Sequence, residues 1–258
     1  MPLTAPVERV HPFSREIIQM VRAYDASRPR SMQKHLGPSE IGAPCDRQLA
    51  MKLAGVPEVN QVADPWFPIV GSAVHEWMAR MTEWYNDVYL GRAHNPRFIV
   101  ENRVKVEARN NGYDTSGSTD VYDVDNQRVV DWKIVGVTTM RKVEAGGTPY
   151  EQAGPQYTVQ GMTYGKGWVQ AGYPVKTVLI AFLPRSNFLN KMKLVEMPFD
   201  QAIADRAQTR VAAIDQLRQV IPPHEFPAGG CTVWCPFYRP SYPLGATSCP
   251  GHGEVKDE

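Results

Sequence analysis

The fold is decided by the stretch GSTDVYDVDNQRVVDWKIV, residues 117–135, which has the pattern of a β-hairpin. If residues 125–126 form a two-residue turn, an Asp-Asn pair that tolerates positive φ, Asp120 falls directly opposite Asp131. Side chains alternate along a strand, so Asp131 and Lys133 share one face. The sequence therefore predicts that Asp120, Asp131 and Lys133 form one patch on a sheet.

The composition of this patch indicates a cation site. Two carboxylates about 5 Å apart repel each other, and charges among apolar strand residues are costly. A divalent cation compensates for both effects, because carboxylate, water and phosphate oxygens suit Mg²⁺ or Mn²⁺. The ammonium of Lys133 would stabilise charge developing on a phosphodiester. The alternative is an exposed hairpin face on which Asp131 and Lys133 form a surface ion pair worth about 0–1 kcal/mol.

Periodicity along the rest of the chain predicts both helices and strands. One helix is expected to begin at Ser72, with an apolar stripe including Trp77 and Trp84 facing the core and His75 beside it. Further helices are expected at 12–24, 46–53, 155–171 and 199–220, and strands at 98–106, 118–124, 128–135, 175–183 and 191–197.

Composition restricts the class of protein. The chain has 258 residues, 43% hydrophobic and 21% charged, which argues against disorder, collagen and coiled coil. A net charge of +1 gives no general reason to expect a polyanion, so any DNA site must be local. The start lacks a secretory pattern, and the most apolar short stretch is far below the ~20 residues of a membrane span. We therefore expect a soluble cytoplasmic protein with no membrane partner.

The chain divides into three predicted regions. Residues 1–70 form a helical N-terminal region, 71–221 the core, and 222–258 a Cys-rich C-terminal module with an acidic tail. The last region is rich in Pro and Gly, cannot form its own apolar core and needs a staple. In a reducing compartment its clustered cysteines indicate a metal before disulfides. One cysteine lies in the first region and three in the last: Cys45, Cys231, Cys235 and Cys249.

The hairpin resembles the signature of the PD-(D/E)XK nuclease superfamily, in which one strand carries an acid and the next carries acid-x-lysine. Here these are Asp120 and residues 131–133. Two flanking segments are similar to motifs of the RecB-like branch. Residues 71–75 resemble its glycine-then-histidine motif, and residues 157–164 resemble its Gln-x-x-x-Tyr motif.

This resemblance implies an α/β (α+β) fold with a restriction-endonuclease-like core, in which a mixed, mostly antiparallel curved sheet is flanked by helices. It also implies a Mg²⁺- or Mn²⁺-dependent exonuclease that hydrolyses DNA, as single strands or duplex ends. The implied metal ligands are His75, Asp120, Asp131 and the main-chain carbonyl of Trp132. The implied catalytic residues are His75, Asp120, Asp131, Lys133, Gln160 and Tyr164. From the residues alone, Tyr157, Gln160 and Tyr164 share one helix face, where they would bind phosphate, stack on a base or simply pack.

The cysteines resemble those of the CRISPR-associated iron-sulfur exonucleases and of the AddB nuclease domain, where one cysteine precedes the core and three follow it. The resemblance implies a structural [4Fe-4S] cluster held by Cys45, Cys231, Cys235 and Cys249. The family has two residues between its second and third cysteines, whereas three separate Cys231 from Cys235 here, and thirteen separate Cys235 from Cys249. Zinc and free or disulfide-bonded thiols therefore stay open, with His224 and His252 as substitute ligands.

Two alternatives belong to other classes. A catalytically silent nucleic-acid-binding subunit of a recombination or repair complex would keep the cluster or zinc, but the intact acids argue against it. An electron carrier predicts closely spaced cysteines and no use for the carboxylates. A homo-oligomer or a repair partner protein is compatible with the main interpretation. Candidate phosphate contacts, for which scattered surface charge is the simpler explanation, are Arg47, Arg141, Lys142, Lys166 and Arg185.

Overall fold

A five-stranded sheet is the centre of the fold in the computed structural model, which describes residues 12–27, 35–60, 66–253 and 255. The strands are β1 (Phe98–Val106), β2 (Thr115–Asp123), β3 (Arg128–Val135), β4 (Thr177–Pro184) and β5 (Lys193–Pro198). The helices are α1 (Pro12–Ala26), α2 (Asp46–Leu53), α3 (Trp66–Trp84), α4 (Val137–Glu144), α5 (Pro149–Gln170) and α6 (Gln201–Leu217).

The sheet is mixed and follows the order β1-β2-β3-β4-β5. Only β3 and β4 pair in parallel, and the other neighbouring strands are antiparallel. Parallel neighbours need a long crossover, which α4 and α5 supply. The predicted fold class, an α/β protein with a mixed sheet flanked by helices, is confirmed.

Helix α5 lies against the sheet at unusually short range. A Cβ atom at Gly161 would lie 2.5 Å from Val178 Cγ1, and one at Gly167 would lie 2.7 Å from Val104 Cγ2. This close approach explains why the helix keeps glycines, each of which costs about 1 kcal/mol of helix propensity. The core beneath it includes Tyr122, Val129, Trp168, Ile180 and Phe182.

Helix α3 differs from its prediction in two ways. It begins at Trp66, six residues before Ser72, with a proline in its first turn, where proline is tolerated. Only part of its apolar stripe is covered, because Val74, Met78 and Met81 are half-buried, whereas Trp77 is 60% exposed and Trp84 is 54% exposed. The buried residue of this helix is Thr82.

The hairpin turn is larger than expected, although the strand register is the predicted one. Residues 124–127 form the turn, and the last ladder pair is Asp123 with Arg128. Positive φ falls on Gln127, at 55°, and not on the Asp-Asn pair. The buried Asp123 carboxylate closes the turn by accepting from the Asn126 main chain and side chain.

Helix α5 also starts earlier than expected. Its first turn at Pro149 is closed by a capping box between Thr148 and Glu151, and a kink at Gly154 precedes the predicted segment.

No described helix has the length and apolar character that crossing a bilayer requires.

The C-terminal region packs on α2 and the segment after it. The Arg47 N–H donates to Pro227 O at 3.0 Å, and the Val59 N–H donates to Pro236 O at 2.9 Å. Their shared apolar cluster is small and centres on Met51, Phe237 and Cys249. Apart from a 3₁₀ turn at Pro223–Glu225, its described backbone is irregular. The division of the chain at residues 70 and 221 stays a prediction.

Candidate functional site

The two hairpin carboxylates lie next to each other inside the protein. The ladder pairs Val121 with Val130, and the next position places Asp120 opposite Asp131. There the ladder stops, and the Trp132 N–H donates to Asp120 Oδ2 at 2.7 Å. Asp120 is 8% exposed and Asp131 is 1% exposed. The alternative of an exposed hairpin face is therefore wrong.

Asp131 is held by two side chains. Lys133 Nζ lies 2.6 Å from Asp131 Oδ2 and forms a buried ion pair with it. Gln160 Nε2 donates to Asp131 Oδ1 at 3.3 Å. Burial raises the pKa of Asp131 to about 6, against the lowering effect of the Lys133 charge. A buried carboxylate of this kind lies beside a cation, here the Lys133 ammonium, and is also a suitable ligand for a divalent ion.

Three residues from three elements offer ligand atoms close together. The ligand atoms of His75 on α3, Glu101 on β1 and Asp120 on β2 all lie within 4.8 Å of one another. His75 Nδ1 is 3.0 Å from Asp120 Oδ1. Burial lowers the pKa of His75, but the bond and charge of Asp120 outweigh this and raise it. An imidazole with two carboxylates suits Mn²⁺ or Mg²⁺, and Asp131 falls outside this compact group.

Glu101 is the site residue that the sequence analysis missed. The ladder pairs Val100 with Val121 and Asn102 with Thr119, so Glu101 lies opposite Asp120. Its φ of 47° is unusual within a strand, and such strain costs about 1–3 kcal/mol. In sequence, Glu101 is one more polar residue of an alternating strand. Only the backbone conformation distinguishes it.

The α5 residues lie behind the carboxylates. Gln160 Nε2 is 3.5 Å from the Tyr164 hydroxyl, and the Tyr157 ring centroid lies 5.2 Å from Lys133 Nζ. Gln160 and Tyr164 are buried, so in this structure they support Asp131 and do not face solvent. Burial raises the pKa of Tyr157, although the Lys133 charge opposes this.

Two of the candidate phosphate contacts are occupied elsewhere. Lys166 is 1% exposed and donates to Asp205 at 2.7 Å and to Gln208 at 2.6 Å. Its assignment to phosphate is wrong, because partners on α6 bury it. Arg47 donates to Phe226 O. Arg141, Lys142 and Arg185 are exposed.

The four cysteines line one cavity between α2 and the C-terminal region. None forms a disulfide. The cavity has a volume of ≈ 20 Å³, slightly more than one water molecule needs. Neither His224 nor His252 is among its described lining residues. Its cysteines are Cys45, Cys231, Cys235 and Cys249.

The cavity offers hydrogen bonds to sulfur. Cys45 caps α2, and its Sγ accepts from the Gln48 N–H at 3.4 Å. Arg47 Nη1 donates to Cys249 Sγ at 3.2 Å. Burial raises the pKa of Cys235 to about 11. Thiolates in this place therefore need a positive partner, which a metal or cluster supplies.

The spacing of the sulfurs is wider than a zinc site. Tetrahedral Zn²⁺ with bonds of about 2.3 Å holds its sulfurs ~3.8 Å apart. Within the described parts of the chain, no three cysteine sulfurs lie within 4.8 Å of one another. Four cysteine sulfurs are donors that suit either zinc or an iron-sulfur cluster.

No protein-family model and no curated protein matches this chain. It is similar to the crystal structure of SSO0001, at 12% identity and a TM-score of 0.47, over 88% of this chain and 95% of that one. It is also similar to a phage-related exonuclease from Haemophilus somnus 129PT, at 15% identity and a TM-score of 0.36, over 56% and 72% of the two chains. A third similar structure is the alkaline exonuclease LHK-Exo from Laribacter hongkongensis, at 13% identity and a TM-score of 0.39, over 67% and 86%. LHK-Exo has also been solved in complex with dAMP.

Two of these three similar proteins are thus exonucleases. At TM-scores below 0.5 the likenesses carry no argument about function. Membership of the RecB-like branch, and the likeness to the iron-sulfur exonucleases and AddB, stay predictions.

Proposed function

We propose that this protein is a metal-dependent DNA exonuclease that hydrolyses phosphodiester bonds in single strands or at duplex ends. The observation that supports this proposal is the buried pair Asp120 and Asp131 with Lys133 against it. Two buried carboxylates side by side repel each other, and a divalent cation would offset this repulsion. The donor set fits Mg²⁺ or Mn²⁺.

His75, Glu101 and Asp120 would hold the ion, with Asp131 and the Trp132 carbonyl as further ligands. When bound, Mg²⁺ or Mn²⁺ would polarise the phosphoryl group and lower the pKa of the attacking water.

The surrounding residues of the chain fix this geometry in advance. The Trp132 N–H holds one oxygen of Asp120, and Gln160 holds one oxygen of Asp131. Burial lowers the pKa of Lys133, but the charge and hydrogen bond of Asp131 together with the charge of Asp120 raise it above its ordinary value, so its ammonium stays charged. The Tyr157 ring lies beside that ammonium, which would stabilise negative charge on the phosphoryl oxygens.

A structural [4Fe-4S] cluster on the four cysteines is part of the proposal. It would join α2 to the C-terminal region, where few apolar residues pack. Such a cluster requires reduced thiols, which places the protein in the cytoplasm. Binding to further copies of the chain or to a repair protein is part of the same prediction.

The nuclease is tested with a time course on end-labelled single- and double-stranded DNA in Mn²⁺, Mg²⁺ or EDTA. Asp131→Asn and Lys133→Ala should each lower the cleavage rate about 10³-fold, because each removes charge from the reacting centre. Asp87→Asn and Lys105→Ala change exposed residues of the same types and should leave the rate unchanged.

A folded wild type that binds DNA but cleaves none with any metal would contradict the nuclease. That outcome would favour the silent binding subunit. Equal rates for Asp131→Asn and Asp87→Asn would also contradict the assignment.

The cluster is tested by anaerobic purification, visible absorbance, and iron and sulfide analysis. Cys235→Ser should lose the absorbance, whereas Thr232→Ala, which changes a cavity residue that is not a ligand, should keep it. One zinc ion per chain with no iron would contradict the cluster.

A further inference from the structure

Three side chains from distant parts of the sequence form an exposed group. Phe67 lies in the first turn of α3, Arg185 follows β4, and Trp234 lies between Cys231 and Cys235. The rings of Phe67 and Trp234 meet edge to face, with centroids 6.4 Å apart and planes at 70°. The Arg185 guanidinium carbon lies 4.3 Å from the Phe67 ring centroid.

This group adjoins the carboxylate site. The Arg185 N–H donates to Val135 O at 2.9 Å, and its Nη2 is 3.5 Å from the carbonyl oxygen of Ile134, the residue after Lys133. The Arg185 charge also acts to lower the pKa of Tyr157, whose ring lies beside the Lys133 ammonium. The guanidinium therefore lies at the end of β3, the strand that carries Asp131 and Lys133.

The same group keeps much of its surface in solvent. Phe67 is 47% exposed and Trp234 is 42% exposed, and Arg185 is exposed as well. Aromatic faces next to a cation are the arrangement that binds single strands, because bases stack on the rings while the cation contacts the backbone.

We propose that Phe67, Arg185 and Trp234 form a subsite that stacks a nucleobase of single-stranded DNA beside the scissile phosphate. This inference rests on the proposed nuclease function. The substrate class is a single strand because the faces of paired bases are covered by their neighbours, whereas an unpaired base can stack on the exposed Trp234 ring, which Phe67 supports edge to face. The subsite also gives the cysteine region a role in substrate binding, since that region supplies Trp234.

The test is equilibrium binding of a fluorescein-labelled single-stranded oligonucleotide in EDTA, followed by anisotropy, so that no cleavage occurs. Phe67→Ala and Trp234→Ala should each weaken binding about 5- to 100-fold through lost stacking. Trp234→Phe should keep most of the affinity. The matched control is Trp77→Ala, an exposed tryptophan two residues after His75, which a helix turns away from the site.

A second measurement locates the stacked base. The probes are oligonucleotides that each lack one base. At one position the missing base should weaken binding to the wild type, whereas the same missing base should not weaken binding to Trp234→Ala any further. Arg185→Gln should weaken binding and reduce its salt dependence by about one ion. It provides a second variant if Trp234→Ala fails to fold by circular dichroism.

Equal affinities of Trp234→Ala and Trp77→Ala, or a loss for duplex DNA alone, would overturn the subsite. If the wild type cleaves DNA but Trp234→Ala binds the single strand as tightly as the wild type does, only the subsite is wrong. If it binds through Trp234 but never cleaves, only the nuclease is wrong. A wild type that binds no single strand overturns the subsite whatever it cleaves.

Discussion

The carboxylate site and the cysteine cavity are built in opposite ways. Asp120 and Asp131 lie on neighbouring strands joined by a tight turn, and the hydrogen-bonded ladder beside them sets their positions. The cysteines lie on irregular backbone and join residue 45 to residues 231–249. The sheet therefore positions the carboxylate site, whereas the proposed cluster would hold residue 45 and residues 231–249 together.

The contrast between the carboxylate site and the cysteine cavity is tested most directly by changing a cysteine. Cys235→Ser should lower the free energy of unfolding by up to about 5 kcal/mol, the chain-entropy estimate for a crosslink that closes a loop around the whole sheet. The measurement is urea unfolding under anaerobic conditions. Removing divalent ions with EDTA should have a much smaller effect, because the ladder does not need them. Similar losses in the two experiments would contradict the contrast.

The stability of the sheet depends in part on the side chain of Asp123. This buried carboxylate accepts from Arg97 at 3.1 Å and from Arg128 at 3.2 Å. Asp123→Asn should cost about 2 kcal/mol at pH 7, a value reduced because both arginines are partly exposed.

The effect of Asp123→Asn should depend on pH. Burial raises the pKa of Asp123, but its bonds with Arg97 and Asn126 outweigh this and hold it below its ordinary value. The stabilisation is therefore complete above the unfolded pKa of about 4 and is lost as the pH falls through the folded value. Urea unfolding between pH 7 and pH 3 should show the two proteins converging at low pH. A constant difference would refute the charge as the cause.

The smallest expected effect concerns the packing of α5 against the sheet. Gly161→Ala would place a Cβ 2.5 Å from Val178 and should cost about 1–2 kcal/mol, despite the gain of about 1 kcal/mol in helix propensity. Gly71→Ala is the matched helical control, because a Cβ there meets no atom within 4 Å, and it should stabilise the protein. Thermal unfolding measures both. A stabilised Gly161→Ala protein would show that the sheet shifts to make room for the added methyl group.

Local pattern was enough to predict the hairpin. The register of β2 and β3 follows from a short turn and strict alternation, so Asp120 and Asp131 are placed correctly even though the turn was not. The strand bounds of β1 and β3 also match their predictions. These features depend on neighbours in sequence.

The features that could not be predicted depend on distant neighbours. The periodicity of α3 shows an apolar stripe but not which element covers it, so Trp77 was assigned to the core and lies in solvent. Lys166 finds Asp205 and Gln208 only when α6 packs on α5. Glu101 joins the site through one unusual backbone angle, which no residue pattern encodes.

The separation of the cysteines along the chain also sets an order in time. At a synthesis rate of about 5–20 residues per second, Cys249 follows Cys45 by ~10–40 s. The last strand ends at Pro198, so the whole sheet leaves the ribosome before any of the three C-terminal cysteines. A chain that stops between Pro198 and Cys231 would carry its carboxylates but lack three of the four proposed cluster ligands. Such a chain could not load the proposed cluster.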